Sequence, residues 1–150
     1  MRLRLSIVDA DTARRLRLIA ALSAAYELVV PSPGDDPLKV ARASRPDIVL
    51  IASGGGARAG ALRLCRVLKT DVRAVPWVGL YAREGEEFPS EAAFVAALAD
   101  GFCLVGAEAD PVTRLAAALA AGERPRPAPW PVARTPRWKR VLDRLGGTGR

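Results

Sequence analysis

The chain has 150 residues, half of them hydrophobic, which is enough for one domain of about 120 residues with an appendage. It contains no histidine, which excludes the most common general base and metal ligand, and its two cysteines are too few for a disulfide framework. The net charge of +7 is uneven, since residues 1–121 hold 15 basic and 14 acidic residues (+1) and residues 122–150 hold 8 and 2 (+6).

Strand and helix patterns alternate along the first 121 residues. Strands are predicted at residues 3–9, 26–30, 46–52, 75–81 and 102–105. Helices are predicted at residues 12–25, 36–43, 60–69, 89–98 and 110–121. Thr12 can cap the first helix, and Asp36 and Asp110 each precede a proline, as an N-cap precedes the first helical residue. The third strand, the apolar run Ile48–Ile51, leads into a loop rich in glycine.

Five β-α units with nearly continuous apolar strands predict a parallel sheet covered by helices on both faces. Right-handed crossovers favour a flavodoxin-like (βα)5 sheet of strand order 2-1-3-4-5. We expect a domain over residues 1–122 and a separate segment over 123–150. The apolar runs are too short to cross a bilayer and no signal-peptide pattern opens the chain, so we expect a cytoplasmic protein with reduced thiols.

The C-terminal segment combines prolines with basic residues. Residues 123–136 contain five prolines, which predicts an extended linker. The helix pattern that follows places four apolar side chains on one face, those of Trp138, Val141, Leu142 and Leu145. Arg140 and other basic residues cover most of the rest. Such a helix suits a groove of a partner protein, but it can also fold back on its own domain, lie on a membrane or touch nucleic acid.

The order of these segments resembles a receiver domain of bacterial two-component response regulators over residues 3–121. "LSIVDAD" resembles the acidic end of the first receiver strand, and "RPDIVLIA" resembles the third strand, which ends in the phosphorylated aspartate. "LRLCRVLK" resembles the helix that follows it. "VPWVGLYA" and "ADGFCLV" resemble the fourth and fifth strands.

The resemblance implies a site that has lost its reactive groups. Asp9 matches the first acid of the family's Mg²⁺ pair, Ala10 falls on the second, and Asp11 comes one place late. The remaining positions are Ala52 for the phosphoacceptor, Tyr81 for the hydroxyl, and Val105 (or Ala107 with a shifted gap) for the lysine. We therefore expect a pseudo-receiver that takes no phosphate by the family mechanism, holds no metal or cofactor, and is not an enzyme.

The expected function is protein–protein interaction in a bacterial signalling system, as an adaptor or localisation module. Partners, including a second copy of the chain, would meet the face of the fourth and fifth βα units, which in the family serves output. The expected interaction residues are Tyr81, Phe88, Phe94, Phe102, Trp138, Arg140, Val141, Leu142 and Leu145. Tyr81 can also fill the vacant pocket instead of facing a partner.

Three alternatives stay open from the residues. The glycines at 54, 56 and 60 follow a strand and precede a helix, which is also the context of a nucleotide-binding loop. The basic tail could make the protein a nucleic-acid-binding accessory, although its few clustered charges favour neither nucleic acid nor membrane. Asp9 and Asp11 could bind a cation, or Asp11 could cap the first helix.

Overall fold

The computed structural model describes residues 2–70, 74–132 and 144–145. These ranges contain five strands: β1 Arg4–Val8, β2 Glu27–Val29, β3 Ile48–Ala52, β4 Trp77–Arg83 and β5 Gly101–Val105. Five helices alternate with them: α1 Thr12–Leu22, α2 Pro37–Ser44, α3 Arg58–Thr70, α4 Glu91–Ala96 and α5 Asp110–Ala120. A 3-10 turn, Gly55–Ala57, precedes α3. The predicted tail residues Trp138, Arg140, Val141 and Leu142 lie outside the described residues.

The five strands form one parallel sheet in the order β2-β1-β3-β4-β5. The predicted flavodoxin-like topology is therefore confirmed. β3 lies at the centre of the sheet and all five of its residues are buried. A continuous apolar strand is stable there, because helices cover both faces of a parallel sheet. Among the described residues, no helix is long and apolar enough to span a membrane.

The core has two layers, one on each face of the sheet. Leu18 and Leu22 of α1 and Leu115 and Leu119 of α5 pack on one face. On the other face α2, α3 and α4 contribute side chains such as those of Cys65, Leu68 and Phe94. Gly79 in β4 allows α5 to approach closely, since a Cβ there would lie 2.9 Å from a methyl group of Leu119.

Some element boundaries differ from those predicted. β4 begins at Trp77, the first residue that pairs with β3, and extends to Arg83, which pairs with Val105 of β5. The cap of α1 is Asp11 and not Thr12, since the Asp11 carboxylate accepts a hydrogen bond from the backbone N–H of Arg14. Asp36 caps α2 as predicted, with Pro37 at the start of the helix.

The last helix also begins differently. Asp110 already lies in the first turn of α5, where an acid interacts favourably with the helix dipole, and the capping residue is Ala109. The predicted N-cap role of Asp110 is therefore wrong by one residue. α4 is shorter than predicted and ends at Ala96, and Leu98 just beyond it adopts a left-handed φ of 63°.

Residues 123–131, here called the strap, run along the outer edge of β5 and across α4. The carbonyl oxygen of Pro125 accepts a hydrogen bond from the N–H of Phe102 at 3.0 Å. Further along, the Trp130 ring stacks on Phe102 with centroids 4.8 Å apart, and its indole N–H donates to the carbonyl oxygen of Pro89 at 3.2 Å. The linker predicted from the prolines is therefore extended, but it packs on the domain instead of leaving it.

Candidate functional site

The predicted site residues meet at the carboxyl edge of the sheet. Asp9 directly follows β1, Ala52 ends β3, and Ala52 pairs with Tyr81 of β4. Val105 ends β5 and pairs with Arg83. Four of the five predicted positions, Asp9, Ala52, Tyr81 and Val105, are at most 6% exposed, and the fifth, Asp11, is half-buried. The fold thus places them together, as the parallel topology requires.

Asp9 is the centre of a saturated hydrogen-bond cluster. Its two carboxylate oxygens accept from Nε of Arg14 at 2.5 Å and from Nη2 of Arg14 at 2.9 Å. They also accept from the hydroxyl of Tyr81 at 2.8 Å and from the backbone N–H of Asp11 at 2.9 Å. A paired, fully bonded carboxylate is the form in which an acid is stable when buried.

Tyr81 fills the pocket rather than facing the surface. Its side chain is 0% exposed, and the guanidinium carbon of Arg14 lies 5.5 Å from its ring centroid. Burial raises the pKa of the Tyr81 phenol well above 10, and the neighbouring Asp9 charge adds to the effect. The hydrogen bond with Asp9 raises the pKa of Arg14 above its usual value. Tyr81 therefore stays a neutral donor and Arg14 a cation throughout the physiological range.

Asp11 does not join the cluster through its side chain. Its carboxylate caps α1 and also accepts from Nη2 of Arg83 at 3.0 Å. The cap hydrogen bond lowers the pKa of Asp11, with smaller contributions from the charges of Arg14 and Arg83. The capping alternative for Asp11 is thus the one observed. Within the described residues, no three Cys, Asp or Glu side chains come together as a metal site would need.

The glycine-rich loop makes room for a carboxylate of the protein itself. A Cβ on Gly54 would lie 2.1 Å from Oε1 of Glu86, in the loop between β4 and α4. Glu86 is held there by the N–H of Arg83 at 2.6 Å, and Nη1 of Arg14 lies 3.7 Å away. The N–H of Gly55 donates to the carbonyl oxygen of Glu87 at 2.7 Å. An acid beside the loop is unfavourable for phosphate, which argues against the nucleotide-binding alternative.

Two of the aromatic residues predicted to meet a partner, Phe94 and Phe102, lie beneath the strap. Phe94 and Phe102 are 3% and 2% exposed, and Trp130 of the strap contacts both rings. Phe88 is half-buried, with its ring centroid 6.0 Å from that of Phe102. Together with the buried Tyr81, Phe94 and Phe102 cannot touch a partner directly in this conformation. Leu145, one of two described helical residues in the tail, is 74% exposed.

Sequence reasoning missed three residues that decide this site, Arg14, Glu86 and Trp130. One signal was available for Arg14, because a cation in the first turn of a helix opposes the helix dipole and needs a compensating acid. For Trp130 the signal was a large aromatic side chain between two prolines, because an exposed linker gains no stability from such a side chain. Glu86 gave no signal, since it stands in a charged loop among other acids.

A solved structure of a response regulator protein from Burkholderia multivorans is similar to this chain, with a TM-score of 0.58 and 25% sequence identity. The similarity covers 80% of this chain and 96% of that one. No protein-family model matches the chain, and no curated protein matches it either. The chain therefore has a receiver-like fold, and the likeness supports a signalling receiver domain.

Proposed function

We propose that this chain is a receiver-type signalling module that works without phosphorylation, as a protein-interaction adaptor or localisation factor in a bacterial cytoplasm. The observation that carries the proposal is the state of Asp9, whose oxygens are occupied by Arg14 and Tyr81. A second observation supports the proposal: Tyr81 pairs with Ala52 of β3, whose methyl side chain cannot accept a phosphoryl group.

Phosphoryl transfer to a receiver needs a carboxylate nucleophile and a divalent cation held by oxygen ligands. At this edge the positive charge comes from the Arg14 guanidinium, which a metal ion would have to displace from a bidentate contact. Ser53, the next hydroxyl along the chain, is buried and donates to the carbonyl oxygen of Tyr81 at 3.1 Å. The Asp9 carboxylate is bonded to Arg14 and the Ser53 hydroxyl to Tyr81, so neither group is available to attack phosphorus.

The interaction surface that we favour is the outside of α4. Val95 and Leu98 are 53% and 44% exposed there, next to Arg124 and Arg126 of the strap. Together these residues line a shallow cavity of about 370 Å³. Lys69 and Asp100 also line this cavity, and Arg124 is paired with Asp100. Exposed apolar side chains beside Arg126 suit a partner that presents acidic and apolar residues together.

The phosphorylation part of the proposal is tested by mass spectrometry after incubation with acetyl phosphate and Mg²⁺. A phosphorylatable response regulator, treated in parallel, is the positive control. We expect that control to gain one phosphoryl group and this chain to keep its mass. A gain of one phosphoryl group by this chain would contradict the proposal.

The interaction part is tested by comparing two matched substitutions on opposite layers of the fold. Val95→Asp changes the proposed surface on α4, and Leu16→Asp changes an equally exposed residue, 58%, on α1. We expect a partner captured from the native organism to be lost with Val95→Asp and retained with Leu16→Asp. Equal capture by both variants would remove α4 from the proposal.

The role of the tail is a separate part of the same proposal. Removing residues 133–150 leaves the strap in place and takes away Trp138 and the basic residues around it. If the tail is a second contact, capture should weaken while thermal unfolding of the domain stays the same. Capture that survives the deletion unchanged would assign the whole contact to the domain.

A further inference from the structure

A second concave site lies at the carboxyl edge of the sheet, on the side of α2 and α3. It is a cavity of about 490 Å³ beside Asp9 and Ala52, bounded by α2 and α3. Strands β1 and β3 are neighbours in the sheet, but the chain leaves β1 towards one helix layer and β3 towards the other. In open α/β sheets, such a switch point leaves a crevice in which ligands commonly bind.

Small side chains create the space. Ala10, Ala52, Ala57, Gly60 and Ala61 all line the cavity, and larger apolar residues of α2 and α3 complete its walls. Of its sixteen lining residues ten have apolar side chains, one is Gly60, and five are charged, namely Asp9, Asp11, Arg14, Asp36 and Arg63. A volume near 490 Å³ lies within the roughly 300–1,000 Å³ of sites that enclose small organic ligands.

The charges around the cavity already have partners or balance each other. Asp9 is saturated by Arg14 and Tyr81, and Asp11 is paired with Arg83. The two remaining charged groups, Asp36 and Arg63, are exposed residues at the rim and opposite in sign. The lining holds three acids and two bases, and Arg83 neutralises Asp11 from outside it. With Arg83 counted, no net charge favours an anion or a cation inside, and the apolar walls favour an uncharged ligand.

We infer that this cavity binds an uncharged, predominantly apolar small molecule. The inference does not depend on the proposed protein partner, whose surface on α4 is a different one. Binding here would place the ligand against the same β1 and β3 ends that carry Asp9 and Ala52. The chemistry that recognises it is shape and apolar contact, with no phosphate or metal involved.

The test uses the full chain and the neutral fluorescent probe N-phenyl-1-naphthylamine. We expect saturable binding of one probe per chain, seen as enhanced probe fluorescence. Gly60→Phe should weaken binding at least tenfold, because Gly60 lines the cavity in α3 and a Cβ there meets nothing within 4 Å. The matched control is Ala59→Phe, the adjacent residue, which lines a different cavity on the side of α4.

The control should keep its affinity within twofold. Circular dichroism establishes whether both variants fold. If Gly60→Phe does not fold, Ala57→Phe, which also lines the cavity, takes its place. Absence of saturable binding, or equal binding by the cavity and control variants, would overturn the inference. Loss of probe binding leaves partner capture unchanged, so the two proposals can fail separately.

Discussion

Two aspartates are buried at opposite edges of the same sheet, Asp9 at the carboxyl edge and Asp100 at the amino edge. Each is paired with a basic side chain and each bonds to backbone, but the sets of partners differ. Within the described part of the chain, Asp9 contacts one cation, Arg14, and the hydroxyl of Tyr81. Asp100 has two cations, Lys69 at 2.7 Å and Arg124 at 3.4 Å.

An acid at either edge of this sheet can make all of its contacts within the protein. Asp100 lies at the edge opposite the candidate site. Its carboxylate accepts hydrogen bonds from the N–H of Val78 at 2.8 Å and from Arg124 of the strap, and so links β4 to the strap. Asp9 makes the same kinds of contacts with α1 and β4. By its bonding, Asp9 is as structural as Asp100, since both carboxylates make their hydrogen bonds and ion pairs within the protein.

The largest expected effect comes from removing the single cation of Asp9. In Arg14→Ala the Asp9 carboxylate stays buried without its charge partner, and breaking a buried pair in this way costs about 3–5 kcal/mol of unfolding free energy. Urea denaturation measures it. Arg17→Ala on the exposed face of α1 is the control and should change the stability by less than about 0.5 kcal/mol. Similar values for the two variants would mean that Asp9 does not need Arg14.

Lys69→Ala should cost less, about 2 kcal/mol, although the Lys69 and Asp100 side chains are also mostly buried, at 16% and 4% exposure. Asp100 keeps Arg124 and the N–H of Val78, so its charge remains partly compensated. Urea denaturation measures the cost. Lys39→Ala, at an exposed lysine on α2, is the control for losing a lysine that is not in this pair. A cost equal to that of Arg14→Ala would remove the distinction between the two edges.

Much of the fold was predictable because it depends on local pattern. Apolar runs such as Ile48–Ile51 and the Asp36-Pro37 helix start identify their elements without knowledge of neighbours. The assignment of Ala52 to the phosphoacceptor position stays a prediction, since it depends on the resemblance in the order of segments along the chain. The helix and strand predictions use information that lies within a few residues.

The state of the site was not predictable in the same way. The contact between Tyr81 and Asp9 joins residues 72 positions apart, and nothing local chooses between a buried and an exposed Tyr81. The strap is similar, because its prolines indicate an extended chain but not the surface on which that chain lies. Phe94 and Phe102 were therefore expected at an interface, while Trp130 already covers them.

The hydroxyl of Tyr81 provides a smaller and more specific test of the Asp9 cluster. Tyr81→Phe keeps the ring in the pocket and removes one of the four hydrogen bonds to Asp9, which should cost about 1.5 kcal/mol at neutral pH. Asp9 retains Arg14 and the N–H of Asp11, so the loss stays well below that of Arg14→Ala. Tyr26→Phe, on a half-buried tyrosine, is the control. A cost near zero would show that the hydroxyl contributes nothing to the pair.

The smallest effect appears only in alkali. The folded-state pKa of Tyr81 lies well above its unfolded value of 10.0, so its contribution is fully present below pH 10 and is lost as pH rises further. Burial also raises the pKa of the Cys65 thiol from 9.0 to about 12, which makes the wild-type stability decline from about pH 9. Tyr81→Phe removes only the tyrosine part of this decline.

Measured as the change in unfolding free energy between pH 8 and pH 10.5, wild type should therefore lose about 0.8 kcal/mol more than Tyr81→Phe. Groups common to both proteins, Cys65 among them, cancel in this difference. If the two proteins decline in parallel, the phenol of Tyr81 titrates as freely in the folded protein as in the unfolded one. The cluster would then be open to solvent, and the carboxyl edge would differ from the amino edge far more than their shared bonding suggests.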